Sequence, residues 1–386
     1  MSPQDDELYF RREQSQIKHS ILDKYLERFA RIVGKRWDGI LYVDGFSGPW
    51  NINGDDFRDS SFDIALRQLR SARDTVRKTF QKDLKIKCIF LEKDAAAFSQ
   101  LQNYAKQQTD VEVIPLNRDF EQAVPELERM IRKESQGFFP FIFIDPTGWA
   151  GFSMKLIAPL IQIRPCEVII NFMTSFIQRF INDERAGIEA SFKKLFGDDF
   201  YKQEIDGREG LDREDAIVFT YAKRIAEVGG FDHVPITVVL HPTKDKSHFH
   251  LVYAMRNIAG LKVFKEAEQH ALKLSEQVRA DAKRRAREAS SGQSELFGGR
   301  EIPETIYASE LLEHYESLAR SSVHELIRDK KEVSYNNVYA IGMQFPMVQE
   351  KSLRSWITEI ADVINLSPMK KVPKLNSEHR IRFRQI

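Results

Sequence analysis

Residues 42 to 50 read Tyr42-Val43-Asp44-Gly45-Phe46-Ser47-Gly48-Pro49-Trp50 and join a short apolar strand, 40–43, to a turn that contains two glycines. Glycine has no Cβ atom, so Gly45 and Gly48 allow the backbone to turn sharply and to approach a ligand closely. An acid and a glycine turn after a first strand are weak evidence alone. The strands that follow therefore decide whether this stretch is a ligand-binding loop or a structural turn.

Apolar runs recur after this turn, and helical patterns separate them. The predicted strands are 40–43, 86–91, 111–115, 139–144 and 167–172, and the predicted helices are 17–33, 62–80, 95–107, 121–135 and 153–163. Unbroken apolar strands that alternate with helices predict a parallel sheet covered on both faces. Two further strands, 235–240 and 248–255, predict a final antiparallel hairpin. We expect an α/β, Rossmann-like fold of the class I S-adenosylmethionine (SAM) methyltransferase type, which the hairpin separates from nicotinamide-binding sheets.

Polar residues stand where several of these strands end. Because ligands of such sheets bind beyond the carboxyl ends of the strands, these residues predict a cofactor site. Glu92 is placed to accept the ribose hydroxyls of SAM, and Asp119 is placed to contact adenine. The predicted cofactor-binding residues are Asp44, Gly45, Phe46, Gly48, Glu92, Lys93, Asp119 and Phe120. The chain has no G-x-x-x-x-G-K-[ST] motif and its first turn lacks the third glycine of G-x-G-x-x-G, so P-loop and NAD sites are disfavoured.

The end of the fourth strand reads Asp145-Pro146-Thr147-Gly148 and is the candidate catalytic segment. It is similar to the (D/N)-P-P-(Y/F/W) motif of amino-group methyltransferases, in which the acid and a proline carbonyl hold the target amine. Asp145 and Pro146 are the predicted catalytic residues. Thr147 and Gly148 depart from the motif, and Trp149 comes one residue late for the stacking aromatic. A purely structural role for Asp145 is the alternative.

Two other reactive patterns are weaker. Cys166 follows Pro165, as the nucleophile of cytosine-C5 methyltransferases does, but it opens the fifth strand and is expected to be a buried core thiol. His248 and His250 share one face of a strand, yet no third ligand is evident, so an ordinary hairpin surface is favoured over a metal pair. No metal site is predicted.

Length and charge set the organisation of the chain. With 386 residues and a net charge of +1, two domains are expected, and the whole chain is not a polyelectrolyte. We predict a SAM methyltransferase-like domain at 1–290 with a helical insertion at about 176–230, a linker at 291–302 and a small domain at 303–386. No apolar run is long enough for a membrane span, the first residues are acidic and polar, and two cysteines do not support a disulfide framework. A cytoplasmic protein is expected.

The last 80 residues predict a winged-helix-like α+β module. Helices are expected at 305–318, at 322–327, after a Ser334 cap, and at 350–364, which would be the recognition helix. The basic residues expected to contact DNA or RNA are Lys351, Arg354, Arg380, Arg382 and Arg384, and Lys370, Lys371 and Lys374 add to the local charge. Winged helices also mediate protein contacts and dimerisation, so that alternative stays open. The basic run 279–287 contains acids and favours a solvated face.

Several short motifs, in order, resemble those of one bacterial family. They are the helix 17–33 with Lys18 and Tyr25, the segment 42–49, Phe90-Leu91-Glu92-Lys93-Asp94, Phe143-Ile144-Asp145-Pro146-Thr147-Gly148, Ile169-Ile170-Asn171-Phe172-Met173, and 249–263 with Gly260-Leu261. The chain resembles the three-Cys-motif partner (TcmP) proteins, which are SAM-methyltransferase-like and are encoded beside a protein with three clustered cysteines. The resemblance covers most of the chain and implies that protein as a partner.

Two departures from the family pattern bear on function. Trp50 stands where the pattern usually has a glycine, and Asp59-Ser60-Ser61 replaces a more usual Gly-Ser-Pro. The first hypothesis is an enzyme, a SAM-dependent methyltransferase that acts on nucleic acid or on a nucleic-acid-associated partner. The second is a catalytically inactive, SAM-binding scaffold that pairs with the three-Cys protein. The degraded motif after the fourth strand motivates the second.

Overall fold

The computed structural model describes residues 9–48, 57–149, 151–183, 185–291, 306–364, 373, 375–376 and 379–384. Some sequence predictions concern residues outside these ranges. They are the departure from the family pattern at Trp50, the linker 291–302 beyond Ser291, and the charge of Lys370, Lys371 and Lys374.

Five strands and the helices around them form the first part of the chain. They are α1 (Glu13–Gly34), β1 (Gly39–Asp44), α2 (Ser61–Phe80), β2 (Lys85–Glu92), α3 (Ala95–Lys106), β3 (Glu112–Asn117), α4 (Phe120–Glu134), β4 (Phe138–Ile144), α5 (Met154–Ile161) and β5 (Glu167–Phe172). Side-chain caps begin four of the helices: Ser60 for α2, Asp94 for α3, Asp119 for α4 and Ser153 for α5. The alternation of apolar strand and amphipathic helix predicted from the sequence is present, with the ends of the elements shifted.

Helices also fill the interval between β5 and the hairpin. Within the described residues they are α6 (Thr174–Phe180), α7 (Ala186–Phe196), α8 (Tyr201–Ile205) and α9 (Gly210–Gly229). The hairpin follows as β6 (Ile236–Leu240) and β7 (Ser247–Ala254). A long helix, α10 (Ile258–Ser291), then packs against α1.

The strands form one seven-stranded sheet in the order β3-β2-β1-β4-β5-β7-β6. The strands β1 to β5 are parallel, whereas β7 runs antiparallel to both β5 and β6. The predicted parallel sheet with a final antiparallel hairpin is therefore confirmed. This mixed α/β, mostly parallel sheet is consistent with a Rossmann-like methyltransferase fold. Because the order reverses beside β1, the carboxyl ends of β1 and β4 form the switch point where ligands bind in such sheets.

Both faces of the sheet are covered, which explains the unbroken apolar strands. On one face, Tyr25 and Phe29 of α1 pack against Phe141 of β4, and α2 and α10 complete that layer. On the other face, α4, α5 and the helices α6 to α9 bury the opposite side chains of the same strands. None of the helices that the structure describes is both long and apolar enough to cross a membrane.

The C-terminal unit contains three helices and a small sheet among its described residues. These are α11 (Ile306–Lys330), β8 (Glu332–Ser334), α12 (Tyr335–Met343), α13 (Glu350–Ile360), β9 (Ala361–Ile364) and β10 (Arg380–Phe383). The strands form an antiparallel sheet in the order β8-β10-β9. Ser334 caps α12 through the N–H of Asn337, as the sequence predicts.

Two helix predictions in this unit are wrong. The helices expected at 305–318 and 322–327 are one continuous helix, because Tyr315, Ala319 and Val323 continue a single buried stripe across the expected break. The recognition helix expected to reach residue 364 ends at Ile360, because residues 361–364 pair with β10.

Buried polar contacts attach the C-terminal unit to the sheet layer. The carboxylate of Glu268 on α10 forms an ion pair with Lys265 and accepts hydrogen bonds from the Thr237 hydroxyl and from the Met347 N–H, the latter at 3.0 Å. The Lys265 ammonium also donates to the Phe345 carbonyl at 2.8 Å. These contacts join α10 and β6 to the segment between α12 and α13.

A second contact of this kind joins α9 to α11. The carboxylate of Asp215 lies 2.6 Å from Nε2 of His314 and accepts a hydrogen bond from the Tyr315 hydroxyl at 3.0 Å. Because unpaired buried polar groups are costly, these matched sets hold the two units in one relative position.

One buried carboxyl should make stability depend on pH. Glu167, at the start of β5, accepts hydrogen bonds from the hydroxyls of Tyr25 and Tyr253, and burial raises its pKa from the ordinary 4.5 to about 7. Because the folded state then holds this proton more tightly than the unfolded state, the free energy of unfolding should fall as pH rises from about 4.5 to about 7. Glu167→Gln should flatten that decline in urea titrations at a series of pH values. An unchanged decline, equal to that of the exposed control Glu112→Gln, would contradict the prediction.

Candidate functional site

The candidate site lies where the carboxyl ends of β1, β2, β4 and β5 meet, and this end of the sheet is called the edge. Since β1 lies between β2 and β4, its glycine turn is flanked by Glu92 on one side and Asp145 on the other. Two backbone hydrogen bonds fix the turn between these neighbours. The Ser47 N–H donates to the Leu91 carbonyl at 2.8 Å, and the Gly45 N–H donates to the Phe143 carbonyl at 3.0 Å.

Asp44 is completely buried at the base of the turn. Its carboxylate accepts hydrogen bonds from the Phe46 N–H at 3.0 Å and from the Ser61 hydroxyl at 2.6 Å. Burial raises the pKa of Asp44 to about 6, although these hydrogen bonds favour the charged form. Asp44 therefore fixes the turn and the first residue of α2, which positions the glycine backbone at the edge.

Gly45 is required by close packing and not by a left-handed backbone. A Cβ atom at this position would lie 2.8 Å from the ring of Phe120, which is closer than real contacts allow. The ring of Phe46 also packs on Phe120, with ring centres 5.1 Å apart. Phe120 is thus a buried support beneath the turn, while Phe46 and Gly48 are partly exposed.

Glu92 is buried at the end of β2, and its side chain accepts a hydrogen bond from the Asp94 N–H at 2.6 Å. Burial raises the pKa of Glu92. Asn117, at the end of β3, donates to the Glu92 carbonyl at 2.9 Å and so fixes the backbone there. Lys93 is exposed, and Asp119 is partly exposed and caps α4 through the Glu121 N–H.

Asp145 forms a charged cluster with two residues from other elements. One oxygen, Oδ2, forms an ion pair with the Lys18 ammonium of α1, and the other, Oδ1, accepts a hydrogen bond from the Asn171 amide at 2.7 Å. The side chains of Lys18 and Asp145 are 11% and 16% exposed, so the cluster reaches the surface of the edge. Pro146 beside it is buried.

Trp149 does not stack over this cluster. Its indole N–H donates to the Ser191 hydroxyl at 3.1 Å, and its ring packs against Phe180 and Phe192 of the helical insertion. The aromatic residue that could have completed an amine-binding motif is therefore used to fasten α6 and α7 to the end of β4.

The N-terminal turns of α1 lie across the same edge. Arg12 forms an ion pair with buried Asp59 in the Asp59-Ser60-Ser61 segment before α2, while Arg285 of α10 forms an ion pair with Glu13. In the basic run 279–287, Arg279 is buried and forms an ion pair with Asp245 of the β6–β7 loop, so the expected solvated face is wrong at this position. This run fastens the hairpin loop and α1 together.

The histidines of the hairpin differ in their surroundings. His250 is completely buried and its Nδ1 lies 2.7 Å from the Thr174 hydroxyl, so the expected hairpin surface is wrong for this residue. His248 is partly exposed and packs edge-on against His241 with ring centres 5.6 Å apart. Within the residues that the structure describes, no three His, Cys, Asp or Glu side chains are grouped as a metal site would require. Cys88 and Cys166 are buried free thiols, and burial raises the pKa of both. The expectation that Cys166 is a core thiol is confirmed.

The predicted nucleic-acid contacts are exposed on the C-terminal unit. Arg380 and Arg382 both form ion pairs with Glu332, and Arg384 forms one with Asp362. Lys351 and Arg354 are exposed on α13. The alternation on β10 is as predicted, because Ile381 points into the core and the arginines point outward.

Three residues of the site were not assigned by the sequence. They are Lys18, Asn171 and Ser61, which belong to the short segments quoted above but have no role that local sequence indicates. Asn171 is the one polar residue near the end of the apolar run 167–172, which is the signal that could have identified it.

Comparisons with known proteins add little to this geometry. No protein-family model and no curated protein matches the chain. A crystal structure of a Legionella pneumophila str. Philadelphia 1 protein of the family DUF519 is similar with a TM-score of 0.35 and 10% identity, over 61% of this chain and 84% of that chain. The structure of loganic acid methyltransferase with SAH is similar with a TM-score of 0.30 and 10% identity, over 81% of this chain and 92% of that chain. Both similarities are weak, and the fold assignment rests on the order and direction of the strands.

Proposed function

We propose that the chain binds SAM at the edge formed by β1, β2 and β4 and is a SAM-dependent methyltransferase. The observation that carries the proposal is the strand order β3-β2-β1-β4-β5-β7-β6, which sets the Gly45 turn between Glu92 and Asp145 at the switch point. A buried carboxylate one strand away from a close-packed glycine turn suits a ligand with a ribose diol and an amino-acid tail.

The turn and the strand-end residues have separate tasks in this proposal. The turn Gly45 to Gly48 holds the amino-acid part, Glu92 accepts the ribose hydroxyls, and Asp119 contacts the adenine. Bound SAM supplies a methyl group on a positively charged sulfur. Asp145 and Pro146 lie nearest the acceptor, and orientation of the reacting groups supplies most of the acceleration, because methyl transfer is an in-line displacement.

The direct test is binding of SAM to the full chain. We expect calorimetry to show one SAM per chain, and mass spectrometry of the purified protein to find SAM or its demethylated product. Absence of any SAM binding under conditions where the protein is folded would refute the proposal.

A second function is favoured by one observation, namely that Lys18 and Asn171 already occupy both oxygens of Asp145. In this alternative the chain is a SAM-binding scaffold without transfer activity that pairs with a three-Cys-motif protein, as the TcmP resemblance suggests. Transfer of labelled methyl from SAM to nucleic acid or to that partner would exclude the scaffold. SAM binding without any transfer, with and without the partner, would support it.

We further propose that the C-terminal unit is a winged helix that contacts DNA or RNA. The order helix, strand, two helices and two strands supports this, with α13 as the recognition helix and the arginine-bearing strand β10 as part of the wing. The exposed Lys351 and Arg354 on α13 add to the support. If the unit instead only dimerises, it needs none of the exposed arginines of β10.

Changing Arg380, Arg382 and Arg384 together to alanine should weaken nucleic-acid binding at least tenfold and reduce its salt dependence, because three phosphate partners are lost. Fluorescence anisotropy at two salt concentrations measures both effects. The matched control is Arg320→Ala, since Arg320 of the same unit is also exposed and forms an ion pair with Glu359. Equal binding by the triple variant and the control would reject the proposed surface.

A further inference from the structure

The Lys18–Asp145 pair changes the kind of group that the candidate site can bind. A lysine ammonium has three N–H donors and no acceptor. One donor is used on Asp145, and the ammonium nitrogen lies 5.8 Å from the ring centre of Phe249. As far as the described residues show, the other N–H donors are open to a ligand at the edge. Each oxygen of Asp145 accepts one contact, from Lys18 or from Asn171.

The Lys18 ammonium takes a place at Asp145 where an amine ligand would be held. One carboxylate oxygen of Asp145 forms an ion pair with Lys18, and the other accepts a hydrogen bond from the Asn171 amide. Trp149 packs into the helical insertion and does not stack over this cluster. A protonated amine at Asp145 would also meet the positive charge of Lys18 at close range.

Lysine and arginine side chains lie near the histidines of the same edge. Burial, and after it His241, Lys246 and Lys18, lowers the pKa of His248 to about 4, so this ring is uncharged at neutral pH. Burial lowers the pKa of His19, and the charges of Lys18 and Arg12 add to this effect. Burial likewise lowers the pKa of His241, with further contributions from Lys246, Lys244 and Arg279.

We infer that the substrate presents an oxyanion, a carboxylate or a phosphate, to the Lys18 ammonium at the ends of β4 and β5. The inference rests on the proposed function and specifies the substrate class of that site. Lys18 then binds the substrate, and Asp145 and Asn171 are positioning residues that hold its ammonium at the edge. An ammonium suits this task because it binds oxyanions as a compact point charge.

The test uses the full chain with inorganic phosphate, acetate and methylammonium as separate probes in calorimetry, at constant ionic strength with chloride as the balancing ion. We expect phosphate or acetate to bind the wild type, and methylammonium not to bind. Lys18→Met should weaken anion binding at least tenfold, and Lys18→Arg should retain it. Lys24→Met is the matched control, because Lys24 lies on the same helix but is 43% exposed and away from the edge.

The outcomes separate this inference from the function. Equal anion affinity in the wild type and Lys18→Met, or binding of methylammonium in place of the anions, would overturn it. If Lys18→Met does not fold, the preference of the wild type for anion or amine decides the question. SAM titrations of the same proteins test the cofactor site independently, so failure to bind SAM would remove the proposed function and leave the anion result readable.

Discussion

Replacement of Glu268 by alanine is expected to lower the free energy of unfolding by about 3–5 kcal/mol, because it leaves the Lys265 ammonium buried without its counter-charge. Glu268 is fully buried and also accepts hydrogen bonds from the Thr237 hydroxyl and the Met347 N–H. The loss should appear as a shift of the urea midpoint. Glu268→Gln should cost less, since its amide oxygen still accepts the Met347 N–H.

The matched control is Glu266→Ala on the same helix. Glu266 forms a half-exposed ion pair with Arg28, and such pairs contribute about 0–1 kcal/mol. The double variant Lys265→Met with Glu268→Met should recover part of the loss, because no unpaired charge is left. If Glu268→Ala and Glu266→Ala cost the same, the buried pair does not hold the units together.

Glu92→Ala is expected to weaken SAM binding at least tenfold, provided that the chain binds SAM as proposed. A tenfold loss corresponds to about 1.4 kcal/mol, which is within the range for losing one charged hydrogen-bond partner. Glu92→Gln should have a smaller effect, because an amide keeps one acceptor but lacks the charge. Calorimetry with SAM measures each affinity directly.

Two controls test whether a loss of SAM affinity comes from the Glu92 side chain itself. Glu112→Ala removes an exposed acid at the start of β3, at the opposite edge of the sheet, and should leave SAM affinity unchanged. Near-ultraviolet circular dichroism should show that Glu92→Ala keeps its packing, since the Asp94 N–H loses an acceptor. Unchanged SAM affinity in a folded Glu92→Ala protein would remove Glu92 from the cofactor site.

Local sequence pattern predicted the sheet well and the C-terminal helices poorly. The strands β1, β2, β4 and β5 are recognisable because most of their side chains are buried on both faces, so each is a largely apolar run. The break expected in α11 between 318 and 322 is absent, because the inner stripe of the helix repeats every four residues through Tyr315, Ala319 and Val323, while Ser321 and Ser322 lie on its outer side. This continuous stripe is the pattern of a single helix.

The end of α13 shows a different limit. Residues 361–364 follow a helical stripe in the sequence, but their backbone pairs with β10, about twenty residues further along the chain. Non-local pairing of this kind overrides local preference. The burial of Ala361 and Val363, with Asp362 exposed between them, is the alternating pattern that marks the strand.

The site was predicted in part, because the acids at the strand ends are visible in the sequence but their partners are not. Lys18 lies 127 residues before Asp145, and Asn171 lies 26 residues after it, so neither contact follows from local spacing. Asp44 and Phe120 also have structural tasks, in the turn and beneath it, that a motif cannot reveal.

The buried contacts of Glu268 and Asp215 have a geometric consequence for any long ligand that touches both units. Because hydrogen bonds join the two units at two separate points, any part of a ligand bound by the C-terminal unit would lie at a fixed distance from the sheet edge. On such a ligand, the distance between the position bound by the C-terminal unit and the position brought to Lys18 would be the same for every bound molecule.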